Sequence, residues 1–150
     1  VPLMSGLGGG GGQAQPALPP GFEQATVESV IDGTTIVVRT GGREVTVRYI
    51  AVAAGVPGEA LFTVAQLANE TWVTDREVVL ERDAQDTDTG GRLLRYVYLE
   101  GVMVNAALIG NGYARHEPQP PNGRHDEVLA EVEDAARENG RGIWGELTLQ

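Results

Sequence analysis

Apolar and polar residues alternate along the first half of the chain with the period of two that marks a strand packed on one face. ATVESVI (25–31) alternates, Asp32-Gly33 signals a turn, and TTIVVRT (34–40) follows as a second strand. Gly41-Gly42 predicts a second tight turn, after which REVTVRYIAV (43–52) reads as a third strand. The break Gly55-Val56-Pro57-Gly58 ends that pattern. EALFTVAQLANETWV (59–73) then carries Leu61, Val64, Ala65, Leu67, Ala68 and Trp72 at helical spacing, which predicts an amphipathic helix. REVVLERD (76–83) and RLLRYVYL (92–99) predict a fourth and a fifth strand around the polar loop AQDTDTGG. MVNAALIGNGY (103–113) predicts a short helix closed by Gly112. After the Pro-rich stretch HEPQPPNG, HDEVLAEVEDAARENG (125–140) predicts a last helix with acids in its first turn and Gly140 at its end.

Five strands, with one helix between the third and the fourth, follow the order of an OB-fold. The expected class is mainly β with helices (α+β): a five-stranded OB-fold β-barrel with three α-helices. Residues 1–22, rich in Gly and Pro, read as a flexible tail or linker, leaving residues 23–147 as one domain.

Composition narrows this further. The 150-residue chain suits one domain, lacks cysteine, and holds no apolar run near the roughly 20 residues a membrane span requires. No secretory signal is visible. Twenty-one acids face eleven basic residues, every one an arginine, for a net charge of −10. That charge opposes a polyanion at long range, so nucleic acid is expected to bind weakly at most, through a local positive site. A monomer without membrane contact is the expected state.

Several segments together carry a resemblance to a known family. VIDGTTIVV resembles the first hairpin of staphylococcal nuclease domains, where an Asp-Gly-Asp-Thr turn joins two strands. VRYIAV resembles their third strand with its arginine, here Arg48, and DTDTGGRLLRYVY their next loop with a second arginine, here Arg92. MVNAALIGNGYA and the closing GIW resemble further family motifs, so the match runs collinearly over about residues 25–145. The resemblance implies phosphodiester hydrolysis by a calcium ion and two arginines. It also implies where the ligands should stand. The first ligand aspartate falls at Thr34; the second falls at Ala53, in a strand end usually written Val-Asp-Thr-Pro-Glu and here Val52-Ala53-Ala54-Gly55-Val56. The water-positioning glutamate falls at Val56, and only Asp32, an outer-sphere position, keeps its carboxylate. Hard divalent cations need several oxygen ligands, so calcium binding is expected to be lost and no cofactor or metal is expected. The tyrosines on which the family stacks a base, each contact worth about 1–3 kcal/mol, are replaced at Gly90, Glu117 and Gln119.

The departures at Thr34, Ala53, Ala54, Val56, Thr89, Gly90, Glu117 and Gln119 would surround one pocket in such a fold. The expectation is therefore a nuclease-fold domain without calcium-dependent activity, its old site remodelled into a small-ligand or nucleotide pocket, as in an engineered scaffold. Two alternatives remain open: a designed enzyme using Glu117 or His116 as general base, and a natural pseudonuclease serving as a weak nucleotide or protein binding module. His116 and Glu117 read equally as exposed loop residues, and one of such neighbours faces a pocket if the chain is extended there. Arg48 and Arg92 suit an anion or phosphate by their guanidinium geometry, or else pair with Asp32 and Asp88 for structure alone. The resemblance leaves location open, since family members are often secreted or at the cell surface, while an engineered chain would be cytoplasmic.

Overall fold

Antiparallel pairing begins at the Asp32-Gly33 turn, which joins β1 (Phe22–Asp32) to β2 (Thr35–Thr40). The structure, a computed structural model, describes residues 17–145. The expected tail falls largely on residues 1–16, outside the described residues, as do residues 146 and 147 at the expected domain end. β2 continues through Gly41-Gly42, both at positive φ, into β3 (Arg43–Tyr49). β5 (Glu77–Glu81) pairs with β1 on the other side, and β6 (Leu93–Leu99) pairs with β5. A parallel pairing of β3 with β6, Val47 opposite Leu93, closes the five strands into a mixed barrel. Its interior is filled by Val27, Ile36, Val38, Val47, Tyr49, Leu80, Leu94 and Tyr96, all fully buried. The expected class, an OB-fold barrel with three helices, is therefore the observed one.

The third predicted strand is not continuous. Strand-forming apolar residues run on through Ile50 and Ala51, but Ala51 takes φ 65°, and the chain turns out of the barrel. The two residues beyond, β4 (Val52–Ala53), leave the main sheet and pair with β8 (Arg115–His116). A second element missed by the pattern is β7 (Val102–Met103), a hairpin partner of β6 that leads directly into a helix.

Three helices cover the barrel: α1 (Ala60–Val73), α2 (Val104–Gly110) and α3 (Asp126–Glu138). α1 buries Leu61, Ala65, Asn69 and Val73, each four positions from the last on one face. It lies directly over the first hairpin. A Cβ on Gly33 would stand 2.5 Å from the Cβ of Ala65, so only glycine admits this approach. Asn69 uses that proximity: Tyr49 Oη donates to its Oδ1 (2.7 Å) and its Nδ2 donates to the Asp32 carbonyl (3.0 Å). Barrel, helix and turn are thus locked at one point. The last turn of structure is a 3-10 helix (Gly142–Trp144).

Candidate functional site

The β1–β2 turn, the break after β3, β4, the start of α1 and the chain just after β8 converge on one cleft. Its volume is about 300 Å³, and Asp32, Gly33, Thr34, Arg48, Ala53, Ala54, Gly55, Val56, Phe62 and Glu117 line it. Seven of the residues singled out in the sequence therefore meet in space: Asp32, Thr34, Arg48, Ala53, Ala54, Val56 and Glu117. Ala53, Ala54, Val56 and Phe62 give it an apolar side, with Val56 on the exposed lip.

The polar groups differ in how far their bonding capacity is used. Asp32 Oδ1 accepts from both the backbone N–H (2.9 Å) and the hydroxyl (3.2 Å) of Thr34, a local turn that occupies that hydroxyl. Asp32 Oδ2 and the Glu117 carboxylate accept no protein hydrogen bond among the described residues. Arg48 Nη1 donates to the carbonyls of Tyr49 (2.7 Å) and Val52 (3.1 Å), which fixes the guanidinium against the turn out of the barrel. Burial foremost, then the neighbouring Arg92, hold the Arg48 pKa below its usual value; Asp32, Glu117 and Asp88 act in the opposite sense.

The two arginines, alike in the sequence, separate here. Arg92 Nε is 2.7 Å from Asp88 Oδ2, and Asp88 Oδ1 also receives the N–H groups of Gly90 and Arg92 at 2.9 Å. Those donors hold the Asp88 pKa below its ordinary value although burial alone would raise it. Arg48, by contrast, has no carboxylate within 4.0 Å among the described residues. The pairing envisaged with Asp32 is absent, whereas that of Arg92 with Asp88 is present.

Four other sequence candidates lie off the cleft lining. His116 points toward α3: its Nε2 lies 3.2 Å from Asp126 Oδ1, and its backbone N–H donates to Glu133 Oε2 (2.9 Å). The neighbouring Glu117 is the member of that pair on the cleft, its N–H bonded to the Ala51 carbonyl. Gln119 Oε1 accepts from the Ala51 N–H (3.1 Å), supporting the strained residue rather than opening to a ligand. Thr89 and Gly90 belong to the Asp88 loop and do not line the cleft. Conversely, Phe62 and Gly55 line it without having been singled out, and Asn69, off the lining, holds the Asp32 carbonyl. A polar side chain interrupting the apolar stripe of α1 was the available signal for Asn69. Among the described residues no three His, Asp or Glu side chains converge as a metal-ligand group.

A closed mixed barrel of this strand order, with a cleft between its first turn and its third-strand exit, defines a nuclease-type OB-fold domain. Comparison with known proteins agrees. The family described as "Staphylococcal nuclease homologue" matches residues 59–146, more than half of the chain. The chain is 30% identical over 128 residues to a thermonuclease of Staphylococcus intermedius, covering 81% of this chain and 76% of that protein. It is 31% identical over 121 residues to a thermonuclease of Staphylococcus hyicus, covering 77% and 72%. With "Endonuclease YncB" of Bacillus subtilis (strain 168) it shares 32% identity over 127 residues, covering 79% of this chain and 60% of that protein. This chain belongs to the staphylococcal nuclease family.

Proposed function

We propose that this nuclease-fold domain does not carry out calcium-dependent phosphodiester cleavage and that its cleft is a small-ligand pocket. The carrying observation is the composition of the cleft wall. Alanine, alanine and valine stand at Ala53, Ala54 and Val56, and the Thr34 hydroxyl is engaged by Asp32. The two remaining carboxylates, Asp32 and Glu117, are too few for a hard dication, which takes six to eight oxygens. These residues do not fit a calcium ion. Five of the eight departures, Thr34, Ala53, Ala54, Val56 and Glu117, share one cleft that Tyr49, Asn69 and Arg48 keep built, which supports a refit of the site, by design or by descent. Nucleic acid would be held weakly, because the chain carries a net charge of −10 and Arg48 is the one arginine on the cleft lining.

The decisive experiment is a cleavage assay on single- and double-stranded DNA with millimolar calcium. No calcium-dependent product is expected, and turnover in the range of ordinary enzymes, about 1 per second or faster, would sink the reading. Glu117 also supports a second reading, a general base for an activated substrate, because it faces the cleft with its carboxylate uncommitted. An activated ester hydrolysed equally by the parent and by Glu117→Gln removes that alternative.

A further inference from the structure

Within the pocket reading, on which this inference rests, the charges of the cleft select a ligand. We propose that the pocket takes a small zwitterion: a carboxylate and an ammonium group a few ångströms apart on a short apolar body, of which a free apolar amino acid is the simplest form.

Three observations bear on it. First, Arg48 is a partly buried guanidinium without a carboxylate partner among the described residues, and only Nη1 is used, on two backbone carbonyls. A guanidinium partly withdrawn from water and without a counter-ion favours an incoming carboxylate at its free Nε and Nη2. Arg92 is not available for the same task, since Asp88 holds it. The cleft thus has one anion receptor rather than two.

Second, the same cleft presents Glu117 and the free Oδ2 of Asp32. Both lie close enough to Arg48 to oppose the lowering of its pKa. They repel a second negative charge on a ligand and offer acceptors to an ammonium. An extended polyanion meets these carboxylates unfavourably, whereas a zwitterion satisfies both signs at once.

Third, the remaining wall is Ala53, Ala54, Val56 and Phe62, which calls for an apolar body of modest size. A volume of about 300 Å³ lies at the lower end of small-molecule sites.

The test is calorimetry on the full chain with alanine, valine and leucine, alongside leucinamide, 4-methylpentanoate and inorganic phosphate. Leucinamide lacks the carboxylate; 4-methylpentanoate lacks the ammonium. At least one amino acid should bind at roughly millimolar concentration, and removing either charged group should weaken it about tenfold or more. Glu117→Gln, at an exposed rim position, should reduce amino-acid affinity about tenfold while leaving 4-methylpentanoate binding unchanged or tighter. Arg48→Gln should abolish both, with circular dichroism confirming the fold; if that variant unfolds, the Glu117→Gln comparison alone decides. Equal binding of leucine and 4-methylpentanoate, or no effect of Glu117→Gln, overturns the zwitterion assignment and leaves an anion pocket. Absence of binding by all three amino acids overturns it as well. Calcium-dependent DNA cleavage is a separate failure, that of the pocket reading itself.

Discussion

Asn105, fully buried at the start of α2, takes the place of two backbone partners. Its Oδ1 accepts from the Val97 N–H (2.9 Å) and its Nδ2 donates to the Ile50 carbonyl (3.0 Å), where the chain leaves the barrel. Removing it strands both groups at about 1–3 kcal/mol each. Asn105→Ala is therefore expected to lose several kcal/mol in urea unfolding, and a change below about 1 kcal/mol would contradict this account. Gly33→Ala is expected to be destabilising for a different reason. Its new methyl would overlap Ala65, and overpacking of this kind costs about 1–3 kcal/mol. The unfolding midpoint reports it, together with weaker ligand binding, since the same turn carries Asp32. Neither role was visible in the sequence. Val-Asn and Asp-Gly are ordinary local signals, and what makes them critical is a carbonyl 55 positions away and a helix that arrives later in the chain.

At the scale of elements, α3 is docked through polar contacts beneath its first turn. Glu81 on β5 accepts from Tyr98 Oη (2.7 Å) and Arg124 Nη1 (3.1 Å), and its Oε1 lies 2.9 Å from His125 Nε2. Alongside, Asp83 accepts from the Arg124 N–H (3.0 Å), Tyr96 Oη (2.8 Å) and the Ala84 N–H (2.7 Å). Burial pushes the Asp83 pKa up, but these donors outweigh it and leave the group more acidic than usual. The folded protein thus binds that proton less readily than the unfolded chain. The resulting stability is present above about pH 4 and disappears as pH falls through the lower folded value. Asp83→Asn should be less stable than the parent at neutral pH, with the difference shrinking below about pH 4, as read by thermal unfolding across pH. A constant difference at all pH values would refute this assignment. Strands and helices themselves were largely legible, because hairpin turns and periodicity are local. The exit of β4 was not: REVTVRYIAV carries no turn signal before Gly55, and Ala51 at φ 65° is held by Asn105 and Gln119 acting on its neighbourhood from far along the chain. The direction of His116 was equally hidden, because Asp126 on α3 settles it.

For the whole molecule, the separation of fold from chemistry can be tested in reverse. Thr34→Asp, Ala53→Asp and Val56→Glu together restore the carboxylates that the family resemblance places on this cleft. The triple variant should gain calcium binding, seen as a rise in unfolding temperature with added calcium, whereas the parent should show none. Stabilisation of the parent by millimolar calcium would contradict the donor-set argument. Most of the cleft residues could be named from the sequence because they lie in three short collinear motifs. Which arginine stays unpaired could not, since Asp88 reaches Arg92 by a loop conformation and Arg48 faces carbonyls produced by the turn at Ala51.

The parallel seam between β3 and β6 also governs time. Between Val47 and its partner Leu93 lie more than forty residues, which form a helix and two further strands. Contacts of such sequence separation slow the search for the native state, placing barrels of this type in roughly the millisecond-to-second range. During synthesis the first hairpin must wait, with one edge of β3 unsatisfied, until β6 has left the ribosome. The cleft also takes Glu117 from beyond β8, so it is complete only once the chain past both strands of the seam is available.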